Sequence, residues 1–324
     1  MWTMKVVLPS LFVATRSQSN PNVEVGGVPR GIKALRTLEA GEVAVQVPVK
    51  EAMNLGTTST AAEAAVVLLR EKYRKKRRKF DNYLKDLPED IVNIYTCTAE
   101  DLKYLPTDEL KILAETRINW TQHVFRTRAR PALFGGKQIE EEEFRWATAV
   151  VASRTLSIAA PNGDVVKYLI PFLDMANHDE RSKHKVVLAA DGNEFRLVCG
   201  EAVPSGEEIR INYGSLAMDE AAMYYGFIPD TAKKRLCAVD AFGWTQDEQP
   251  PFGRPTLPTD RSFSAELDRL EARLLAARNE YRPVLPTDTM SQAATLFGTL
   301  ANERIKALEK AVKSLKLAIE KTEL

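Results

Sequence analysis

Two stretches of this chain alternate in the manner of β-strands, residues 22 to 49 and residues 165 to 214, and a long block of helix formers lies between them. Short strands with turn residues at their ends need neighbours to be stable. The helical block therefore reads as an insertion into one β-core, and the expected fold class is α+β.

The first β region reads NVEV, GGVPRG, IKAL, the turn Glu39-Ala40-Gly41, and EVAVQVPV. From about residue 58 the composition changes to TAAEAAVVLLREKYRKKRRKF, YLKDLPEDI and EDLKYLPTDELKILAETRINWTQHVF, and Thr60 with Glu63 forms a capping box ahead of the first helix. EEEFRWATAVVASRTLSI continues the helical block, with Phe144, Ala147, Val151 and Leu156 at roughly helical spacing. Strands return in VVKYLIPF, KVVLAA, EFRLVCG and EIRINYG, punctuated by Asp191-Gly192-Asn193 and Pro204-Ser205-Gly206. A Pro-rich linker at 249 to 260 precedes a last helical lobe, where Leu296, Leu300, Ile305, Leu308, Val312, Leu315 and Ile319 mark the apolar stripe of one long helix or two. The expected organisation is an N-terminal segment 1–21, a domain 22–228 with its helical insertion at about 58–140, and a helical C-terminal domain 229–324.

Composition narrows the function classes. Lys plus Arg (45) balances Asp plus Glu (44), and the net charge of +1 gives no overall attraction to nucleic acid or an anionic membrane. The run KYRKKRRKF, 72 to 80, reads as a solvated face of the inserted helices, with a localisation signal or phosphate-binding patch as the other reading. Cys97, Cys199 and Cys237 are too scattered for a disulfide framework or a thiolate zinc site, so a reducing compartment is expected, cytoplasmic by default with an organelle or the nucleus open. No apolar stretch approaches the roughly 20 residues of a spanning helix. The first twenty residues read as a plain strand or as a trimmed targeting segment.

The candidate site begins at IPFLDMANHD, 170 to 179, where an apolar run ends in Asp174, Asn177 and His178. Taken alone, these residues cap a loop and a short helix. With GGVPRGIKALRTLEAGEVAVQVP upstream and GEEIRINYGSLAMDEAAMYYGFIPD downstream, the order and spacing resemble the SET-domain protein methyltransferases, in particular the class of the Rubisco large-subunit lysine methyltransferase and the actin histidine methyltransferase. YLKDLP (83 to 88) and FRWATAVVASR (144 to 154) resemble further motifs of that class, and the resemblance spans residues 22 to 228.

The resemblance implies S-adenosyl-L-methionine as methyl donor, with S-adenosyl-L-homocysteine as product, and transfer catalysed by positioning and electrostatics. It places the donor against Val28, Arg30 and Gly31 of the first turn, Arg154, Asp174, Asn177 and His178. Asn177 and His178 would act largely through main-chain groups. Arg154 would clamp the carboxylate of the donor, its other reading being a helix C-terminal cation. Tyr213 matches the catalytic tyrosine, its other reading being a core tyrosine, while Tyr225 and Phe227 line the substrate channel. Pro29 stands where the family has glycine, which removes a backbone donor from that turn.

Methylation of a lysine ε-amine on a folded, non-histone protein is the expected activity, met by the C-terminal helices and carried out by a monomer. The absence of a cysteine-rich segment after the domain is the ground for a non-histone target. Protein-histidine methylation and a non-catalytic SET-like binding module are the alternatives. A metal site made of Asp174, His178 and His184 is a weaker rival, since those residues lack the rigid spacing of a helical ligand pair.

Overall fold

The structure is a computed structural model that describes residues 22–26, 30–57, 60–75, 79–159, 163–242, 262–280 and 290–322. The N-terminal segment, Val28, Pro29 and the Pro-rich linker lie outside the described residues.

Strand β1 (Val23–Gly26) pairs antiparallel with β2 (Gly31–Ala34), and β3 (Val43–Pro48) follows the turn at Gly41, whose φ of +86° suits a residue without Cβ. A further strand, β4 (Met53–Gly56), had no clear alternation in the sequence. It buries Met53 and Leu55 on one face and is too short to show a period.

Five helices form the insertion: α1 (Ala61–Lys72), α2 (Asp81–Asp86), α3 (Ala99–Leu102), α4 (Asp108–Arg128) and α5 (Glu141–Arg154). At the α1 N-terminus Thr60 Oγ1 accepts the Glu63 N–H at 3.2 Å, and its hydroxyl meets the Glu63 carboxylate at 3.0 Å. Alanines Ala62, Ala64 and Ala65 let α1 lie close against α5, which buries Phe144, Ala147, Val150 and Val151. Leu156 falls beyond α5, where the chain has already become extended. Of the basic run, Lys72 ends α1 and pairs with Glu143 at 2.7 Å, residues 73–75 have left the helix, and residues 76–78 lie outside the described residues.

Strands β5 (Leu156–Ala159), β6 (Val165–Leu169), β7 (Lys185–Leu188), β8 (Glu194–Val198) and β9 (Glu208–Ile209) complete three small antiparallel sheets of order β1-β2-β9, β3-β8-β7 and β4-β6-β5. Each sheet joins strands from both sides of the insertion, as Ile32↔Ile209, Val47↔Phe195 and Met53↔Leu169 show. One apolar core unites the sheets with α1 and α5.

Downstream come α6 (Met218–Tyr225), α7 (Ala238–Phe242), α8 (Phe263–Glu280) and α9 (Gln292–Thr322). The apolar stripe of the last lobe belongs to one helix of 31 residues. Its first half, with Phe297 and Leu300, shares a core with Leu102, Leu110 and Met218. Its second half makes a smaller core with Leu270 and Leu274 of α8. A buried ion pair ties these pieces together: Arg304 of α9 holds Asp240 of α7 at 2.7 Å, and Arg273 of α8 bridges Asp240 (2.9 Å) and Glu109 of α4 (2.7 Å).

Candidate active site

Between Leu169 and Asp174 the chain reverses within a few residues. Leu173 N–H donates to Pro171 O at 2.9 Å across Phe172, whose φ of +68° and ψ of −52° define a strained γ-turn. Phe172 is the one non-glycine at positive φ among the described residues. Such a conformation costs on the order of 1–3 kcal/mol and persists only where its surroundings fix it. Here Asp174 N–H returns to Ile170 O at 3.0 Å, and the turn drives the Asp174 side chain into the interior.

Charged groups from three other segments meet Asp174 there. Tyr83 of α2 donates its hydroxyl to Asp174 Oδ2. Arg154, the last residue of α5, donates from Nη1 to Asp174 O at 3.0 Å and lies 3.2 Å from Met175 Sδ. Arg30, just ahead of β2, brings its Nη2 within 3.1 Å of the same sulfur and donates to Asp86 O. Burial pushes the Asp174 carboxyl up to about 6, opposed by Arg154, the Tyr83 hydrogen bond and Arg30. Arg30 is lowered by its own burial and by the neighbouring Arg154. At neutral pH the cluster is a buried carboxylate beside two guanidinium groups.

Asn177 works as a strut. Its Nδ2 donates to Arg30 O at 3.1 Å and to Glu208 Oε1 at 2.6 Å, and so joins the first turn to β9. Gly31 must be glycine for this to happen, because a Cβ there would overlap the Glu208 carboxylate and stand 2.8 Å from Asn177 Nδ2. The main chain of the next residues pairs with the segment after β9: Ile211 N–H donates to Asn177 O at 2.8 Å, and Asp179 N–H to Ile211 O at 3.0 Å. His178 Nδ1 accepts the Tyr213 N–H at 3.1 Å, and burial lowers the His178 pKa, which favours this neutral acceptor form.

Tyr213 is held on both sides. Its hydroxyl donates to Ala176 O at 2.6 Å, its ring lies 5.1 Å from His178 and 5.4 Å from Tyr225, and burial pushes the phenol well above its ordinary range. Tyr225 ends α6, and Gly226 in the left-handed region (φ +79°) turns the chain so that Phe227 packs 6.3 Å from Tyr225 and 6.0 Å from His178.

A cavity of about 290 Å³ opens at this junction, lined among others by Arg154, Thr155, Asp174, Ala176, Tyr213 and Tyr225. It is at the small end of ligand cavities. Two buried polar atoms of residues that line it, Asp174 Oδ1 and Thr155 Oγ1, lack a hydrogen-bond partner. The Asp174 amide lies near enough only to help hold the charge. An amino acid entering the cavity meets the Arg154 side chain on its wall.

The structure thus gathers Arg154, Asp174, Tyr213 and Tyr225 around one cavity. Asn177 and His178 back it with side chains turned to protein partners, Arg30 and Gly31 reach it through Asn177 and Met175, and Phe227 packs behind Tyr225. Tyr83, Thr155, Met175 and Glu208 complete the arrangement without having been singled out from sequence. Tyr83 and Glu208 stood in quoted motifs, yet nothing in a lone sequence marks a side chain that crosses between motifs. The rival metal trio is split, since Asp174 faces Tyr83, His178 the Tyr213 amide, and His184 the Gly200 amide at 3.2 Å. Two larger grooves, of about 500 and 700 Å³ around Cys97, Thr98 and Arg145, contain none of the gathered residues.

No family model matches the sequence. Among solved structures, the SET domain of LSMT bound to lysine and AdoHcy matches with a TM-score of 0.66 and 15% identity, over 93% of this chain and 88% of that one. Rubisco LSMT bound to AdoMet matches at 0.64 and 15% identity, over 93% and 89%. Rubisco LSMT bound to sinefungin and monomethyllysine matches at 0.64 and 15% identity, over 94% and 88%. A SET domain-containing protein 4 from Artemia parthenogenetica is 24% identical over 220 residues, 61% of this chain, which spans about half (55%) of that relative's length. The chain has the SET-domain fold.

Proposed function

We propose that this chain is a protein-lysine N-methyltransferase that uses S-adenosyl-L-methionine. The observation that carries the reading is the meeting of Arg154, Asp174, Tyr213 and Tyr225, three of them from motifs far apart in the sequence, on one cavity of a SET fold. The matched LSMT structures hold AdoMet, AdoHcy, lysine or methyllysine, which supports the same donor and acceptor classes here. When bound, the donor supplies an electrophilic methyl on a sulfonium, and displacement by a free amine needs alignment more than covalent help.

The residues divide that work. Arg154 offers a planar cation to the donor's carboxylate, and Asp174, through its carbonyl, holds that cation in place. Tyr213, with its hydroxyl anchored on Ala176 O and its proton firmly held, borders the reacting centre as a fixed dipole. Tyr225, with Phe227 packed behind it, forms an aromatic wall that suits an amine and excludes water. Burial and the sulfonium charge both favour the neutral amine, the nucleophilic form, over the lysine's ordinary state near pKa about 10.4.

The finer reading is a folded, non-histone protein substrate docked against the C-terminal helices of a single copy of the chain in a reducing compartment. The three cysteines support the last point, since each is free and buried. Calorimetry with S-adenosyl-L-homocysteine tests the core of the proposal: micromolar binding is expected, with a loss of at least about ten-fold in Arg154→Ala. No binding by the wild-type chain would leave the non-catalytic module as the better reading. Mass spectrometry of a methylated target separates lysine from histidine.

A further inference from the structure

We propose that Tyr83, supplied by the inserted helical region, is a positioning residue for the donor site: its hydroxyl fixes the Asp174 carboxyl beside Arg30 and Arg154, and so sets where Arg154 points. This rests on the donor-binding reading above and extends it to a residue on a different part of the chain. The six-residue helix α2 makes two separate bonds into the charged cluster, the Tyr83 hydroxyl to Asp174 Oδ2 and the Asp86 carbonyl to Arg30 Nη2. Tyr83 is only 3% exposed and Asp174 6%, so water cannot replace the bond if it is removed.

The consequence follows from where the other Asp174 atoms go. Asp174 O takes Arg154 Nη1 at 3.0 Å, while Oδ1 is buried without a hydrogen-bond partner. With Oδ2 tied to α2, Asp174 is anchored from its side chain, and its carbonyl in turn holds Arg154 at the cavity. Among the described residues, the groups that titrate or carry charge against Asp174 are Arg154 from α5, Arg30 from the first turn, Tyr83 from α2 and Tyr213 from the segment after β9, with Asp86 facing Arg30. The Tyr83 hydrogen bond is one of the groups that keep the Asp174 carboxyl ionised against burial. Without it the carboxyl binds its proton at higher pH and loses its charge attraction to the two guanidinium groups.

Tyr83→Phe is the test, since it keeps the ring in the core and removes one oxygen. Calorimetric titration of the full chain with S-adenosyl-L-homocysteine between pH 6 and 8.5 should find the variant about two-fold weaker at the top of the range, from the lost anchor, and about five- to ten-fold weaker near pH 6.5. The acid limb of the binding curve should move upward. The donor's own titration is common to both proteins and cancels. In methyl transfer the KM for the donor should rise while kcat changes little. A folded variant with unchanged affinity at every pH, or with the same loss at every pH, overturns the proposal. Asp174→Asn should make the affinity ratio of Tyr83→Phe to its parent independent of pH, and a ratio that still varies with pH on that background also overturns it. If the wild-type chain binds no donor, both this inference and the proposed function fall; wild-type binding with an indifferent Tyr83→Phe removes this one alone.

Discussion

Replacing Asn177 with alanine separates two ways in which that side chain can matter. In the structure its amide is a strut, giving 3.1 Å and 2.6 Å hydrogen bonds to Arg30 O and Glu208 Oε1. The first is a neutral bond worth about 1 kcal/mol, and the second is charge-assisted, worth about 1.5–3 kcal/mol. Glu208 keeps Arg210 at 2.7 Å and is partly open to solvent, so the second loss falls at the low end. The sum is about 2–3 kcal/mol of stability, read as a lowered urea midpoint at constant m-value. Donor affinity should fall about ten-fold because the Arg30 turn is no longer pinned. Gly31→Ala attacks the same junction from the other side, since its Cβ would displace the Asn177 amide and the Glu208 carboxylate. The double variant should therefore be far less than additive. If Asn177→Ala unfolds within about 0.5 kcal/mol of wild type while donor binding disappears, the amide is touching the donor and the strut account is wrong.

Tyr213→Phe removes the hydroxyl anchored on Ala176 O and should cut kcat by about 10²–10³ with little change in donor affinity, measured by single-turnover methyl transfer beside calorimetry. Asp240→Ala leaves Arg304 buried without its partner and should destabilise the chain by about 3–5 kcal/mol, as chemical unfolding will show. Asp219 is fully buried, accepts the Ala238 and Val239 amides, and is pushed by burial up to about 6. Its folded form holds a proton more tightly than the unfolded form, so the stability it contributes is present below about pH 4 and is lost as pH rises to about 6. Between pH 4.5 and 7 the unfolding free energy of Asp219→Asn should therefore gain roughly 2 kcal/mol relative to wild type, and a constant difference would refute the assignment.

Much of this architecture was legible because local chemistry and global fold agree. The alternation around Val43–Pro48, the glycine turn at Gly41 and the Thr60 cap each specify their element within a few residues. What stayed hidden depends on pairings across the insertion. Strand β4 alternates over only the four residues Met53–Gly56, too few to stand out in the sequence, and is held by pairing with Leu169 and Tyr168. The basic run looked like more helix, since lysine and arginine are good helix formers, but α1 stops at Lys72 once its alanine face has been used against α5. The site was legible in part for the same reason. Arg154, Asp174 and Tyr213 sit at the ends of recognisable segments, whereas the Tyr83 hydroxyl and the unpartnered Thr155 acquire meaning only when three segments close around them.

The account stands or falls on methyl transfer to a protein. Purified wild-type chain and its Tyr213→Phe variant would each be incubated with donor carrying a labelled methyl and a proteome extract, and the labelled bands analysed by mass spectrometry. The account predicts a discrete labelled protein bearing methyl-lysine with wild type and little label with the variant. Equal labelling by both proteins, or none by wild type although it binds the donor, would contradict it.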